Sequence, residues 1–237
     1  MYIRWACAAA LLLLLSGCVT ITPMAFDKTS KSIDVSSKSI VLMTLDVSRN
    51  DDSRYVPRPM TVFWKAHASS PETVYRFRTL EPGELAAIPE HHQYALRMAL
   101  EPGQYELTQV SGLASAFPFN GIFFVPLFLD LTVPAHSVVY VGHVSAELRE
   151  RKDGEFRAGP LIPLIDQAAT GMSGGTWEVK IDDASATDLA MFRETFPALT
   201  DVPIATAILP QYDRLAVQRK WDGKVDSSSQ GPASKGP

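Results

Sequence analysis

The sharpest catalytic spacing in the chain is "GMSGG", Gly171 to Gly175, which satisfies G-x-S-x-G around Ser173. That pattern builds a hydrolase when a strand, a tight turn and a helix lift the serine hydroxyl above a sheet, with helix amides beside the developing oxyanion. Here "TWEVKIDD" follows, an alternating strand pattern, so the glycines read as a link between strands. His136, His143 and Asp166 complete a triad by residue type, yet no spacing ties them to Ser173. A serine hydrolase stands as an alternative, and labelling of Ser173 by a fluorophosphonate decides it. The histidines, His67, His91, His92, His136 and His143, include no helical i, i+4 pair of the kind zinc sites use. His91 and His92 are adjacent in a loop pattern, where their rings diverge. With no P-loop and no dinucleotide fingerprint either, neither metal nor cofactor is expected. The charged run from Glu147 to Asp153 reads as a solvated hairpin tip closed by Asp153-Gly154.

One cysteine has a clearer chemical role. The apolar run from Trp5 to Leu15 is too short for a membrane span, which needs about 20 residues. Behind Arg4, and ahead of the small residues Ser16 and Gly17, it has the layout of a secretory signal covering residues 1–17. Leu15-Ser16-Gly17-Cys18 then resembles the lipobox of bacterial lipoproteins. The resemblance implies that the Cys18 sulfur carries a diglyceride, that the chain is cut before it, and that the new amine is acylated. A thiol suits this role because it is the nucleophile that becomes the thioether. Acyl chains gain about 0.8 kcal/mol per buried CH₂, so several hold a protein firmly on a bilayer. Val19, rather than aspartate, follows the cysteine, and the same resemblance implies passage to the outer membrane, where the periplasmic leaflet is the expected location.

Cleavage would discard Cys7 and leave Cys18 alone, so no intramolecular disulfide is available and the fold must rest on its core. The formal charge of −4 becomes one unit more acidic when Arg4 leaves, which argues against nucleic acid as a partner.

The elements that must carry any site are mostly strands. Residues 18–39 are rich in Ser, Thr and Lys and read as a lipidated tether. Residues 40–221 read as one domain, and residues 222–237, with "DSSSQGPASKGP", as a disordered tail. Period-two alternation runs through Val41, Met43, Leu45 and Val47, through Tyr94 to Leu100, and through Trp177, Val179 and Ile181. "SVVYVGHV", 137–144, suits a central strand. Shorter strands are expected at 61–66, 74–79 and 104–110. Pro82-Gly83 and Pro102-Gly103, each inside Leu-Glu-Pro-Gly, mark turns rather than a structural repeat. Ser185-Ala-Thr-Asp188 has capping-box spacing ahead of "LAMFRETF", predicting a helix near 186–196 with Leu189, Phe192 and Phe196 on one face. A looser helical period covers 210–220. The fold class expected is mainly β, a β-sandwich with a C-terminal helix.

"AFPFNGIFFVPLFLDL", 116–131, crowds Phe117, Phe119, Phe123, Phe124 and Phe128 between two prolines. Apolar runs usually end in the core, so a buried strand flanked by a loop is the favoured reading. The functional reading is an exposed aromatic surface that contacts lipid, peptidoglycan, a hydrophobic ligand or an envelope protein.

Taken together, "SKSIVLMTLDVSRN" at 37–50, "LEPGQYELTQV" at 100–110 and "KIDDASATDLAMFRETFPAL" at 180–199 resemble a group of uncharacterised Gram-negative lipoproteins. The PG-x-Y turn followed by "VYVG" is similar to transthyretin-like or carboxypeptidase-regulatory sandwich modules, where such positions serve packing. The resemblance implies a binding or structural role at the membrane and carries over no catalytic residue.

Overall fold

The fold is given by a computed structural model that describes residues 20–50, 56–67, 72–79, 93–116, 119–161 and 175–229. The signal, Cys18, Val19, His91, His92, Phe117, Asp166, Ser173 and residues 230–237 lie outside the described residues. The molecule is mainly β: two sheets pack face to face as a sandwich.

Sheet I has the order β4-β1-β7-β8, from β4 (Gln93–Leu100), β1 (Ser39–Arg49), β7 (Val138–Arg149) and β8 (Thr176–Asp182). Short β9 (Ile204–Thr206) pairs parallel with Val138–Tyr140, so β8 and β9 share one edge of β7. Sheet II has the order β3-β2-β5-β6, from β3 (Val74–Arg78), β2 (Val56–Ala66), β5 (Gly103–Ala116) and β6 (Phe119–Val133). Neighbours are antiparallel except β1 with β7, and β7 with β9.

The expected inward residues meet between the sheets. Val41, Met43, Leu45, Leu96, Met98, Trp177 and Ile181 from sheet I pack against Val62, Trp64, Phe77, Val110 and Phe123 from sheet II. The indoles are buried with their donors satisfied: Trp64 Nε1 donates to Met98 Sδ at 3.1 Å, and Trp177 Nε1 to the Ala158 carbonyl at 3.0 Å. Phe123 meets Trp177 across the sandwich with ring centroids 5.0 Å apart. Gly112 makes that possible, because a Cβ there would stand 2.6 Å from the Phe123 ring and collide with the Arg58 carbonyl.

Both lateral openings of the sandwich are closed by terminal segments, and here the sequence reading is corrected. Residues 22–26 are not tether. Thr22 bridges β3, its N–H donating to the Arg76 carbonyl at 2.7 Å and its carbonyl accepting from Arg78 N–H at 3.0 Å. The chain then crosses to sheet I, where Ala25 N–H donates to the Arg97 carbonyl at 2.7 Å. Met24 enters the inter-sheet core, and Phe26 is buried on the outer side of sheet I. Two buried apolar side chains, each worth about 1.5–3 kcal/mol, outweigh the polar composition around them. Asp27 ends the strap, its Oδ1 accepting from the Thr29 and Ser30 N–H groups at 2.9 Å. The Thr29 and Ser30 hydroxyls donate to the same oxygen at 2.8 and 2.9 Å, and these bonds first, with the N–H bonds behind them, hold its carboxyl down at about 2.

The other opening is closed by helix α2 (Arg214–Ser229), the weakly periodic segment, which continues past 222 where a tail was expected. Val217 reaches the core and Trp221 stacks beside Phe124 and Phe156. These contacts and the Gln218–Asp222 bonds at 2.9 Å pay the nucleation cost that the composition alone does not meet. Among the described residues no helix is long and apolar enough to cross a membrane.

Helix α1 (Ser185–Thr195) forms where expected, but not with the expected cap. Its N-cap is Ala184, without a side-chain bond, and Asp188 turns inward instead. With the 3-10 turn Pro197–Leu199 it covers the outer face of sheet I, forming a second core of Phe26, Ile40, Leu42, Val138, Tyr140, Phe192, Phe196, Ala198 and Leu199.

Candidate functional site

A buried polar cluster lies under α1. The register of β1 against β7 slips between Leu42–Tyr140 and Thr44–His143, so β7 carries one extra residue there. Gly142, with φ +113°, absorbs the bulge, a conformation that a residue with a Cβ rarely adopts. The extra residue brings Tyr140 and His143 together on the outer face, where α1 lowers Asp188 onto them. Asp188 Oδ2 accepts from Tyr140 Oη at 2.6 Å and from Thr44 Oγ1, and it lies 3.6 Å from His143 Nδ1. Because the single Thr44 hydroxyl proton goes to the carboxylate, His143 Nδ1, 3.0 Å from the same Oγ1, is the protonated ring nitrogen. Burial, and then the hydrogen bond that the phenol donates to the Asp188 carboxylate, push Tyr140 far above its ordinary range.

This grouping has the residue types of a nucleophilic triad but not its wiring. A working triad places imidazole between carboxylate and hydroxyl, with the hydroxyl facing substrate. Thr44 bonds to the carboxylate directly and has no exposed surface. The cluster pegs α1 to β1 and β7.

Arg97 is the second buried charge. Its Nε donates to the Phe26 carbonyl at 2.9 Å and its guanidinium lies 4.1 Å from the Phe196 ring centroid, joining the strap to the end of α1. A third group sits at the β8 edge, where Arg149 forks onto Glu155 at 2.7 and 2.8 Å and both Arg149 and Arg214 reach Glu178 at 3.1 Å. The Arg149 bonds, with Arg214 nearby, hold the Glu155 carboxyl down at about 2. These ion pairs tie α2 and the segment after β7 to sheet I.

Among the described residues, two clefts open on sheet II. One, about 380 Å³, is lined by His67, Gln104, Tyr105, Asp130, Leu131 and Thr132, with His67 Nε2 3.0 Å from Asp130 Oδ1. Its polar rim could hold a hydroxylated molecule, but the His67–Asp130 contact is open to water and positions no nucleophile. The other, about 190 Å³, runs between β6 and α2 past Phe128 and Lys220.

The aromatic candidates separate. Phe123 is wholly buried and Phe128 nearly so, with φ +52° at a register shift between β5 and β6. Lys220 Nζ stands 5.5 Å from the Phe128 ring. Phe124 is half-buried against Trp221. These three therefore serve packing, as the favoured reading of the run has it. Phe119 is the first residue of β6, and Phe117 lies outside the described residues. Of the histidines proposed for a triad, His143 joins the buried cluster, whereas exposed His136 donates from Nδ1 to the Val35 carbonyl at 3.1 Å. Among the described residues no three His, Cys, Asp or Glu side chains are grouped to hold a metal.

What the sequence reading missed is the outer face of sheet II. Arg58, Arg78, Met60, Leu113 and Ile122 are exposed there, and Arg76 lies over the Phe63 ring at 5.7 Å. Leu113 is directly opposite Arg58 and Ile122, while Arg76 and Arg78 face Phe63 and Thr61. The signal was present as arginines at the outward positions of β2 and β3, but finding it required knowing which face is uncovered. Set against family models, curated proteins and solved structures, the chain matches none.

Proposed function

We propose that this chain is a lipid-anchored protein of a Gram-negative envelope, attached through Cys18 to the periplasmic leaflet of the outer membrane. Its sandwich acts by binding or structural association, not by catalysis. The observation that carries the reading is the distance along the chain from the lipobox to the fold. Only three residues, Val19 to Ile21, lie between Cys18 and Thr22, and Thr22, four residue steps from the cysteine, is hydrogen-bonded into the edge of sheet II. At roughly 3.3–3.6 Å per residue, the acyl attachment lies within about 14 Å of that edge. An anchor so short fixes a folded module against the bilayer, as suits a protein whose work is contact at the surface.

The test is metabolic labelling with a fatty acid together with membrane fractionation of the Cys18→Ala variant. The expected result is loss of label and of membrane attachment. An unacylated wild-type chain would end the anchor reading. Val19→Asp tests the destination: it should move the protein from outer- to inner-membrane fractions on a density gradient.

A further inference from the structure

Sheet I and sheet II differ in what covers them. The outer face of sheet I lies under α1 and the strap, whereas along β2 and β3 sheet II carries Arg58, Arg76 and Arg78 with Met60, Leu113 and Ile122 near them. None of these arginines is in an ion pair among the described residues. Among the described residues, the acidic groups of the same face already have partners: Glu72 meets Lys65 at 3.0 Å, Asp130 meets His67 at 3.0 Å and Glu106 meets Lys220 at 2.6 Å. The face therefore carries a local cationic surplus in a protein of net negative charge.

From this placement we propose that the outer face of sheet II is a docking surface for anionic phospholipid headgroups, lying against the same membrane that holds the Cys18 anchor. The proposal rests on the anchor reading and adds an orientation to it. Two observations select the membrane as occupant. The chain from Cys18 enters the fold at Thr22, whose backbone is bonded to the backbones of Arg76 and Arg78 themselves, so an anchored lipid brings those two side chains to headgroup level. The chemistry is also complementary. Guanidinium groups present planar donor forks that match phosphate oxygens, and exposed Met60, Leu113 and Ile122 supply apolar side chains for the interfacial layer. The strap turns a flexible tether into a fixed approach, so the cost of orienting the domain has already been met in folding.

The experiment uses the full chain purified from membranes and reconstituted in vesicles. An environment-sensitive fluorophore is placed on Met60→Cys, an exposed position beside Thr61–Arg78. Mass spectrometry of the same preparation reads acylation at Cys18 and so tests the anchor separately. With vesicles containing about a third phosphatidylglycerol, quenching of the probe by a bilayer-dissolved quencher should exceed that in pure phosphatidylcholine by about threefold or more, and strong salt should abolish the difference. Arg58→Gln/Arg76→Gln/Arg78→Gln should remove it while leaving acylation intact. Lys180→Gln/Arg193→Gln/Arg219→Gln, exposed cations on other elements, should not. Equal quenching in both vesicle types, or equal loss in the two triple variants, overturns the proposal. So does a probe shielded by a crosslinked protein rather than by lipid. An unmodified Cys18 thiol with quenching retained sinks the anchor alone.

Discussion

The two outer faces of the sandwich are built from strands of similar length but opposite fates. Over sheet I, Phe192, Phe196 and Leu199 come down onto Leu42 and Tyr140, so β1 is buried on both sides and reads "SIVLMTLDV" almost without a polar break. Among the described residues no helix descends over β2 and β3 of sheet II, and those strands alternate between core residues and outward Phe63, Lys65, Arg76 and Arg78. Two-sided burial requires a continuous apolar run, while one-sided burial leaves the second face free for other chemistry. The difference separates what holds the protein together from what is available for contact.

The largest test breaks the covered face. Phe192 has no exposed surface and packs against Phe196 with ring centroids 6.1 Å apart. Phe192→Ala leaves a cavity that α1 cannot collapse into while Asp188 pegs its first turn, and should cost about 3–5 kcal/mol in urea unfolding. A loss under about 1 kcal/mol would mean that the second core is not a core.

The peg itself comes next. Asp188→Asn keeps the shape but replaces a charged acceptor shared by Thr44, Tyr140 and the near His143 with a weaker one that also carries donors. The expected cost is about 2 kcal/mol by the same measurement. Thr44→Val with Asp188→Asn should cost less than the sum of the single changes, because both remove the same bond.

The edge network should be felt mainly in acid. Glu155 has a folded pKa of about 2 against an ordinary 4.5, chiefly through its bonds to Arg149. A depressed carboxyl contributes stability that is fully present above the unfolded value and is lost as pH falls from about 4.5 towards 2. Wild type and Glu155→Gln should therefore differ most above pH 5 and converge near pH 2, read from thermal midpoints across that range. Parallel curves would show that Glu155 gains nothing from its arginines. The effect should be smaller than at Asp188, because Glu178 and the arginines are partly open to water, where ion pairs weaken.

How much of this was legible in the sequence follows the same division. Strands whose inward residues alternate, such as Trp177, Val179 and Ile181, were readable because one periodicity decides them locally. The strap was not: Met24 and Phe26 are isolated among polar residues, and their burial depends on the gap between β3 and β4, which only the assembled sheets create. The spacing of Asp188 from Ser185 fits a capping box. Two buried hydroxyls from strands far away in sequence competed for the carboxylate and won. The clue to that cluster was Gly142, a lone glycine in a β-branched run, which is the usual mark of a bulge. Of the expected sites, Cys18 and Ser173 remain with their sequence arguments, and Phe123 shows why a run of aromatics decides little: its neighbour Phe124 points the other way.

The smallest effect is expected on the uncovered face. Leu113 is 39% exposed and Ile122, directly opposite, equally so, which leaves each much of its surface in water. A cross-strand apolar pair on such a face contributes about 0.2–1 kcal/mol relative to alanines, and polar replacement also shortens an exposed apolar patch. Leu113→Ser should thus lower the unfolding free energy read in urea by less than about 0.5 kcal/mol, some tenfold below Phe192→Ala, although both replace large apolar side chains in contact with a strand. A cost approaching that of Phe192→Ala would mean that something of this chain covers sheet II after all. The contrast between the faces would then be gone, and with it the reason for giving the arginines a partner outside the molecule.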